Sequence, residues 1–194
     1  MAVYKIFPEK DTTLYTEYPS KNTGLDPIIE ASTYQSNATA QVSRYLIKFP
    51  TSQISEMYTD RITSGEYKTY LKNFNAVVTG LNLDQELEFF PISGNWGMGT
   101  GRYNDSPIVT NGSSWDWLDY SGSTEWPSSG FNDYVTASFQ STLPGGGNWY
   151  TGSNLALDPI SQSQIFTYAD TKDVLVDVTN IVETWYSYSL DNTQ

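Results

Sequence analysis

Apolar and polar positions alternate through most of this chain, and the alternation predicts strands. Residues 3–7, Val-Tyr-Lys-Ile-Phe, read as a short strand that enters the fold early. Residues 44–49 put Tyr45, Ile47 and Phe49 on one face, and Pro50 ends the run because it has no N–H to give to a ladder. Residues 69–79 carry Tyr70, Phe74, Ala76 and Val78 at even positions, and residues 87–92 form an apolar run closed around Pro91. Residues 164–168 and 173–178 repeat the pattern late in the chain. Short strands punctuated by Gly, Pro, Asn and Asp argue for a sandwich or a barrel.

Helical spacing is scarce. Val178, Ile181, Val182 and Trp185 recur with a helical period, and Asp177 or Thr179 stands where a side-chain oxygen caps the first turn. The expectation is one short helix sealing an end of the sheet structure. A turn of helix near residues 53–58 is a weaker signal. Residues 93–163 read mostly as loop, with one or two further strands expected near residues 131–139. This stretch holds five of the six Trp and the run Gly145-Gly-Gly147. A connection of that length is either functional or packed by its own side chains. No repeat or linker composition divides the chain, so residues 1–194 read as a single domain.

Composition sharpens this picture. Aromatics make up 15% and charged residues only 16%, a profile of sheets with polar loops. The formal net charge of −12 and the scattered Lys and Arg argue against nucleic-acid binding, since phosphates are repelled by such a surface. There is no Cys and no His, which excludes disulfides, thiolate or imidazole metal sites, and His-based triads. No stretch approaches the roughly 18–20 apolar residues of a membrane span. The residues after Met1 lack the basic and apolar regions of a signal peptide, so the expectation is synthesis in a cytoplasm.

Only carboxylates remain for acid–base work. Glu86 and Glu88 flank Leu87 and share a strand face, as Asp173 and Asp177 do less closely. A glycosidase needs two carboxyls facing each other across a cleft, whereas a strand with outward acids is ordinarily a solvated face. The expectation is therefore no catalytic site. Asp116, Asp119 and Asp133 lie in the aromatic loop, where carboxylate oxygens suit Ca²⁺, although their spacing matches no known calcium loop. Trp115, Trp117, Tyr120, Trp126 and Phe131 are the most distinctive group. Exposed, they would stack on sugar rings or meet a protein partner; buried, they would hold a long loop together. Trp115 and Trp117 alternate, so a strand would put both on one face. Gly97-Met-Gly-Thr-Gly101 lacks the spacing of a phosphate loop and reads as a turn, with Arg102 and Asp105 expected to pair locally.

Several segments carry a resemblance. They are Lys10-Asp-Thr-Thr-Leu-Tyr15, Asn22-Thr-Gly-Leu-Asp26, Arg44-Tyr-Leu-Ile-Lys-Phe49, Trp96-Gly-Met-Gly-Thr-Gly-Arg102 with Asp105 and Pro107, Asn111-Gly-Ser-Ser-Trp115, Gly145-Gly-Gly-Asn-Trp149, and Asp173-Val-Leu-Val-Asp-Val-Thr179 leading into Trp185. In this order they resemble the DNRLRE-type β-sandwich domain, a jelly roll related to carbohydrate-binding modules. The likeness is greatest to virion structural proteins of contractile-tailed phages of marine bacteria, cyanobacteria in particular. The resemblance implies an all-β jelly-roll β-sandwich with long aromatic-rich loops and one short helix near the C-terminus. It implies a place in the virion, on head or tail, among other virion proteins in many copies. It also raises a structural Ca²⁺, and glycans as the alternative partner. Proteins of this kind continue past the helix with an Asn-Gly turn and further strands, while this chain stops at Gln194. The expectation is a domain without its closing strands, or one that takes them from another chain.

Overall fold

The computed structural model describes residues 2–36, 39–62, 66–76, 84–92, 94–126, 145–147, 161–167 and 173–188. Strands in small antiparallel sheets dominate these residues, with few helices, which makes the chain all-β. Among the described residues no helix is long and apolar enough to cross a membrane.

The longest strand, β3 (Thr39–Lys48), is central in a three-stranded sheet. Along one side runs β1 (Lys10–Tyr15), with Lys10 opposite Lys48 and Tyr15 opposite Ser43. Along the other, β2 (Ser32–Ser36) covers only the first half of β3, from Ser36 opposite Thr39 to Ser32 opposite Ser43. Because side chains alternate across a strand, Thr12, Leu14, Val42, Arg44 and Leu46 share one face. Leu14 and Leu46 are buried there with Trp96, Trp115 and Trp126, and Val42, Ile92, Met98 and Leu118 pack around them. The opposite face carries Tyr45 and Ile47, half-buried. Tyr45 Oη accepts a bond from Asn73 Nδ2 at 3.2 Å, and burial pushes its hydroxyl up to about 12.

A second core lies among four strands joined in pairs. β4 (Tyr70–Asn73) pairs with β9 (Val174–Asp177), and β5 (Gln85–Phe89) with β8 (Gln162–Phe166). Val174, Val176 and Val178 point inward with Phe166, while Leu175 points out, the alternation expected of these residues. A side-chain amide joins the pairs. Gln164 of β8 donates from Nε2 to Asp173 O at 3.0 Å and accepts the Leu175 N–H at 2.8 Å.

The expected helix forms, and a shorter one precedes it. After Pro50, α1 (Thr51–Glu56) runs into a π-helical turn at Met57–Arg61 and packs Ile54 and Tyr58 on the second core. α2 (Thr179–Tyr188) buries Ile181 and Val182 beside Val178, as their spacing predicts. Of the two expected capping residues Asp177 caps the helix, while Thr179 bonds outside it. Asp177 Oδ1 accepts the Thr179 N–H at 3.1 Å and its hydroxyl at 2.6 Å, and Thr179 Oγ1 accepts the Thr69 N–H at 2.9 Å. Asp177 also pairs with Lys68 at 2.7 Å. The helix start is thereby tied to β4.

One expected strand is absent. Residues 2–7 belong to no ladder, and Val3 and Phe7 are each 75% exposed. Pairing begins only at Glu9, whose N–H donates to Lys48 O at 2.8 Å. The alternation there expresses strand propensity, but a strand also needs a neighbour, and none stands beside it among the described residues. In the long loop, β6 (Trp117–Asp119) and β7 (Thr124–Glu125) form a small ladder. The strands expected near residues 131–139 lie outside the described residues.

Candidate functional site

The aromatic loop closes over the β1–β3 face, and its first fixed point is Asn22. This side chain is wholly buried, and every bonding position it has is filled. Nδ2 donates to Met98 O at 2.8 Å and Ser113 O at 2.9 Å; Oδ1 accepts the N–H groups of Gly101 at 2.8 Å and Gly24 at 3.2 Å. The run of glycines from 97 to 101 has its explanation here. A methyl group at Gly99, where φ is +73°, would overlap Asn22 Oδ1 and Asn111 O. The segment is a turn drawn tightly around a buried amide, as its spacing indicates. Asp105 fixes the next bend by accepting the Arg102 backbone N–H at 2.8 Å. The expected guanidinium–carboxylate pair is not among the salt bridges of the described residues.

Trp115 is the second fixed point. It is 3% exposed, with the Arg44 guanidinium of β3 set 4.8 Å from its ring centre. The Gly145–Gly146 turn lies against it, with Gly146 N–H donating to Trp115 O at 2.6 Å. Arg44 Nη1 donates to Gly145 O and Gly146 O, each at 3.2 Å. Burial lowers the Arg44 guanidinium to about 10, so it remains charged at neutral pH. Trp126 is 5% exposed and donates from Nε1 to Ser114 O at 2.9 Å. Trp115 and Trp126 are thus core rings, and neither presents a face to a ligand. Trp117 is half-buried with its ring edge-on to Tyr120 at 5.0 Å, and Tyr120 is exposed. Trp115 and Trp117 differ because β6 begins at Trp117, so the alternation rule does not reach Trp115. Phe131 lies outside the described residues. A sugar platform built on two exposed tryptophans among Trp115, Trp117 and Trp126 is not formed.

The acidic candidates stay apart. Asp116 is exposed, and its carboxyl is raised by partial burial and by Glu125 nearby. Asp119 Oδ1 accepts the Ser121 N–H at 3.0 Å, closing its own turn. Asp133 lies outside the described residues. Among the described residues no three acidic side chains converge as a metal cage. Glu86 and Glu88 are both exposed on β5, with Glu88 raised by partial burial and then by Glu86.

A surface group emerges that strand patterns alone do not reveal. Tyr103 meets Tyr15 at 5.1 Å and Tyr18 at 5.7 Å between ring centres. Lys21, itself buried, sits 3.7 Å from the Tyr18 ring centre and 4.6 Å from that of Tyr103, and donates to Tyr103 O at 3.1 Å. Tyr34 on β2 donates its hydroxyl to Glu17 at 2.6 Å, and Tyr15 donates to Glu30 at 3.3 Å. The Glu17 bond holds the Tyr34 hydroxyl up at about 12. The result is a tyrosine patch with an acidic rim, partly exposed at Tyr34 and Tyr103. The segments Lys10–Tyr15 and 22–26 contribute to it, but nothing in a local pattern joins them to Tyr103.

Comparison with protein-family models, with curated proteins and with solved structures finds no match.

Proposed function

We propose that this chain is a structural protein of a tailed-phage virion, a jelly-roll β-sandwich attached to head or tail that acts through protein–protein surfaces. The observation that carries the reading is the inward packing of the long aromatic loop. Trp96, Trp115 and Trp126 are spent on holding that loop against β1 and β3. The described part of the loop, residues 94–126 with 145–147, thereby turns these rings inward and leaves a shaped outer surface. Such surfaces suit attachment in many copies, where repeated weak contacts add to stable binding. The ordered resemblance along the chain supports the same reading, and the net charge of −12 would keep particles dispersed.

The test is quantitative mass spectrometry of gradient-purified particles from the source. A fixed number of copies per particle, matching a head or tail symmetry, is the expected result. Absence from particles overturns the reading.

Glycan binding is a second reading, favoured by one observation. The patch of Tyr15, Tyr18, Tyr34 and Tyr103 combines partly exposed rings with the Glu17 and Glu30 acceptors, the mixture that sugar faces and hydroxyls require. Glycan-array binding that disappears in Tyr34→Ala and Tyr103→Ala, with folding intact, would establish it.

A further inference from the structure

Among the described residues, the strand-like segment at residues 3–7 pairs with nothing and the outer edge of β2 has no neighbour. We infer that the two belong together across molecules: residues 3–7 of one copy add to the outer edge of β2 in a second copy. Three observations carry this.

The segment is built to be a strand. Val-Tyr-Lys-Ile-Phe is β-branched and aromatic around one lysine, and Pro8 follows where a ladder must stop. It leaves Val3, Tyr4 and Phe7 in water. Apolar side chains held out in this way mark an interaction surface.

The β2 edge is open and unprotected. Its strand order makes it terminal in the sheet, and among the described residues its backbone bonds only to β3. Natural edges are guarded by charges, proline or bulges. β5 carries Glu86 and Glu88, and β4 carries Lys72, but β2 reads Ser-Thr-Tyr-Gln-Ser. Residues 3–7 match its five positions, each about 17 Å when extended.

The geometry favours a second copy over the same one. β1 starts opposite Lys48, so the segment leaves the sheet at that end, whereas Tyr34 stands opposite Gln41. The two points are about 24 Å apart along β3 at roughly 3.4 Å per residue. A head-to-tail contact of this kind closes into a ring or continues as a chain. The inference stands apart from the virion reading and survives its failure.

Light scattering after size-exclusion chromatography, over a wide range of concentration, tests it on the full chain. The wild type should exceed the monomer mass as concentration rises. Val3→Asp with Phe7→Asp should weaken that association at least about tenfold, by leaving charge in a buried strand. Their exposure predicts an unchanged circular dichroism spectrum and melting temperature. Because the chain has no cysteine, mixing Lys5→Cys with Tyr34→Cys chains, the central positions of the two matched segments, should give a disulfide-linked heterodimer in excess of either homodimer. A wild type that stays monomeric throughout overturns the inference. So does association that the Asp variants leave unchanged, or cross-linking without preference for the mixed pair.

Discussion

The backbone of β9 is held from the side by Gln164, which accepts the Leu175 N–H at 2.8 Å while donating to Asp173 O at 3.0 Å. A primary amide offers a donor and an acceptor on one group, so it substitutes for a neighbouring strand's peptide. The β4–β9 and β5–β8 pairs are thereby joined without a continuous ladder. Gln164→Leu keeps the size and removes both bonds. It should destabilise the chain by about 1–2 kcal/mol, the value of bonds near the surface. A lower urea midpoint at unchanged slope is the expected measurement.

Asn22 is the more costly residue to change. Asn22→Asp replaces the donor that faces Met98 O and Ser113 O with a second acceptor, in a site without solvent. Two buried carbonyls lose their partner, and a charge is stranded. The loss should exceed about 3 kcal/mol. Calorimetry should show a large fall in melting temperature, and the loop tryptophans should redden in fluorescence as they meet water.

Gly146→Ala probes the contact between the glycine turn and Trp115. The new methyl group would lie 2.7 Å from the indole ring, at a backbone φ of +73°. Clash and left-handed strain act together, for about 2 kcal/mol or more. Arg44 anchors the same turn by its bonds to Gly145 O and Gly146 O, so Arg44→Lys should weaken it in the same direction, a point charge replacing a fork. Acrylamide quenching of tryptophan fluorescence should rise in both variants.

Acid should loosen the start of α2. The bond from Lys68, with those from Thr179, holds Asp177 down to about 2, below the usual carboxylate value of about 3.9. A carboxyl depressed in the folded chain stabilises fully above its unfolded value. That contribution is lost as pH falls from about 4 through about 2. Urea midpoints followed from neutral to acid pH should fall less steeply in Asp177→Asn over this window. An identical acid limb in the variant would rule out the pairing.

The all-β character, the late strands and the helix were legible in the sequence, because these depend on local periodicity. Val174 and Val176 alternate inward, and Ile181 and Val182 return to the same helix face whatever surrounds them. Asp177 was recognisable as a capping residue for the same reason, since the N–H it accepts is that of Thr179 in the first turn, whereas Thr179 itself accepts the N–H of distant Thr69. The turn at Gly97-Met-Gly-Thr-Gly101 could also be read, though not its cause. Asn22 is more than seventy residues away from the loop atoms Met98 O and Gly101 N that it binds. Tertiary structure alone decided which tryptophans are core, since Trp115 is buried by Arg44 and by Gly145 and Gly146, none of them nearby in sequence. It also decided that residues 3–7, with a strand's pattern, pair with nothing among the described residues. Periodicity states what a segment can bury or bond; only the packed chain determines whether a surface stands opposite to receive it.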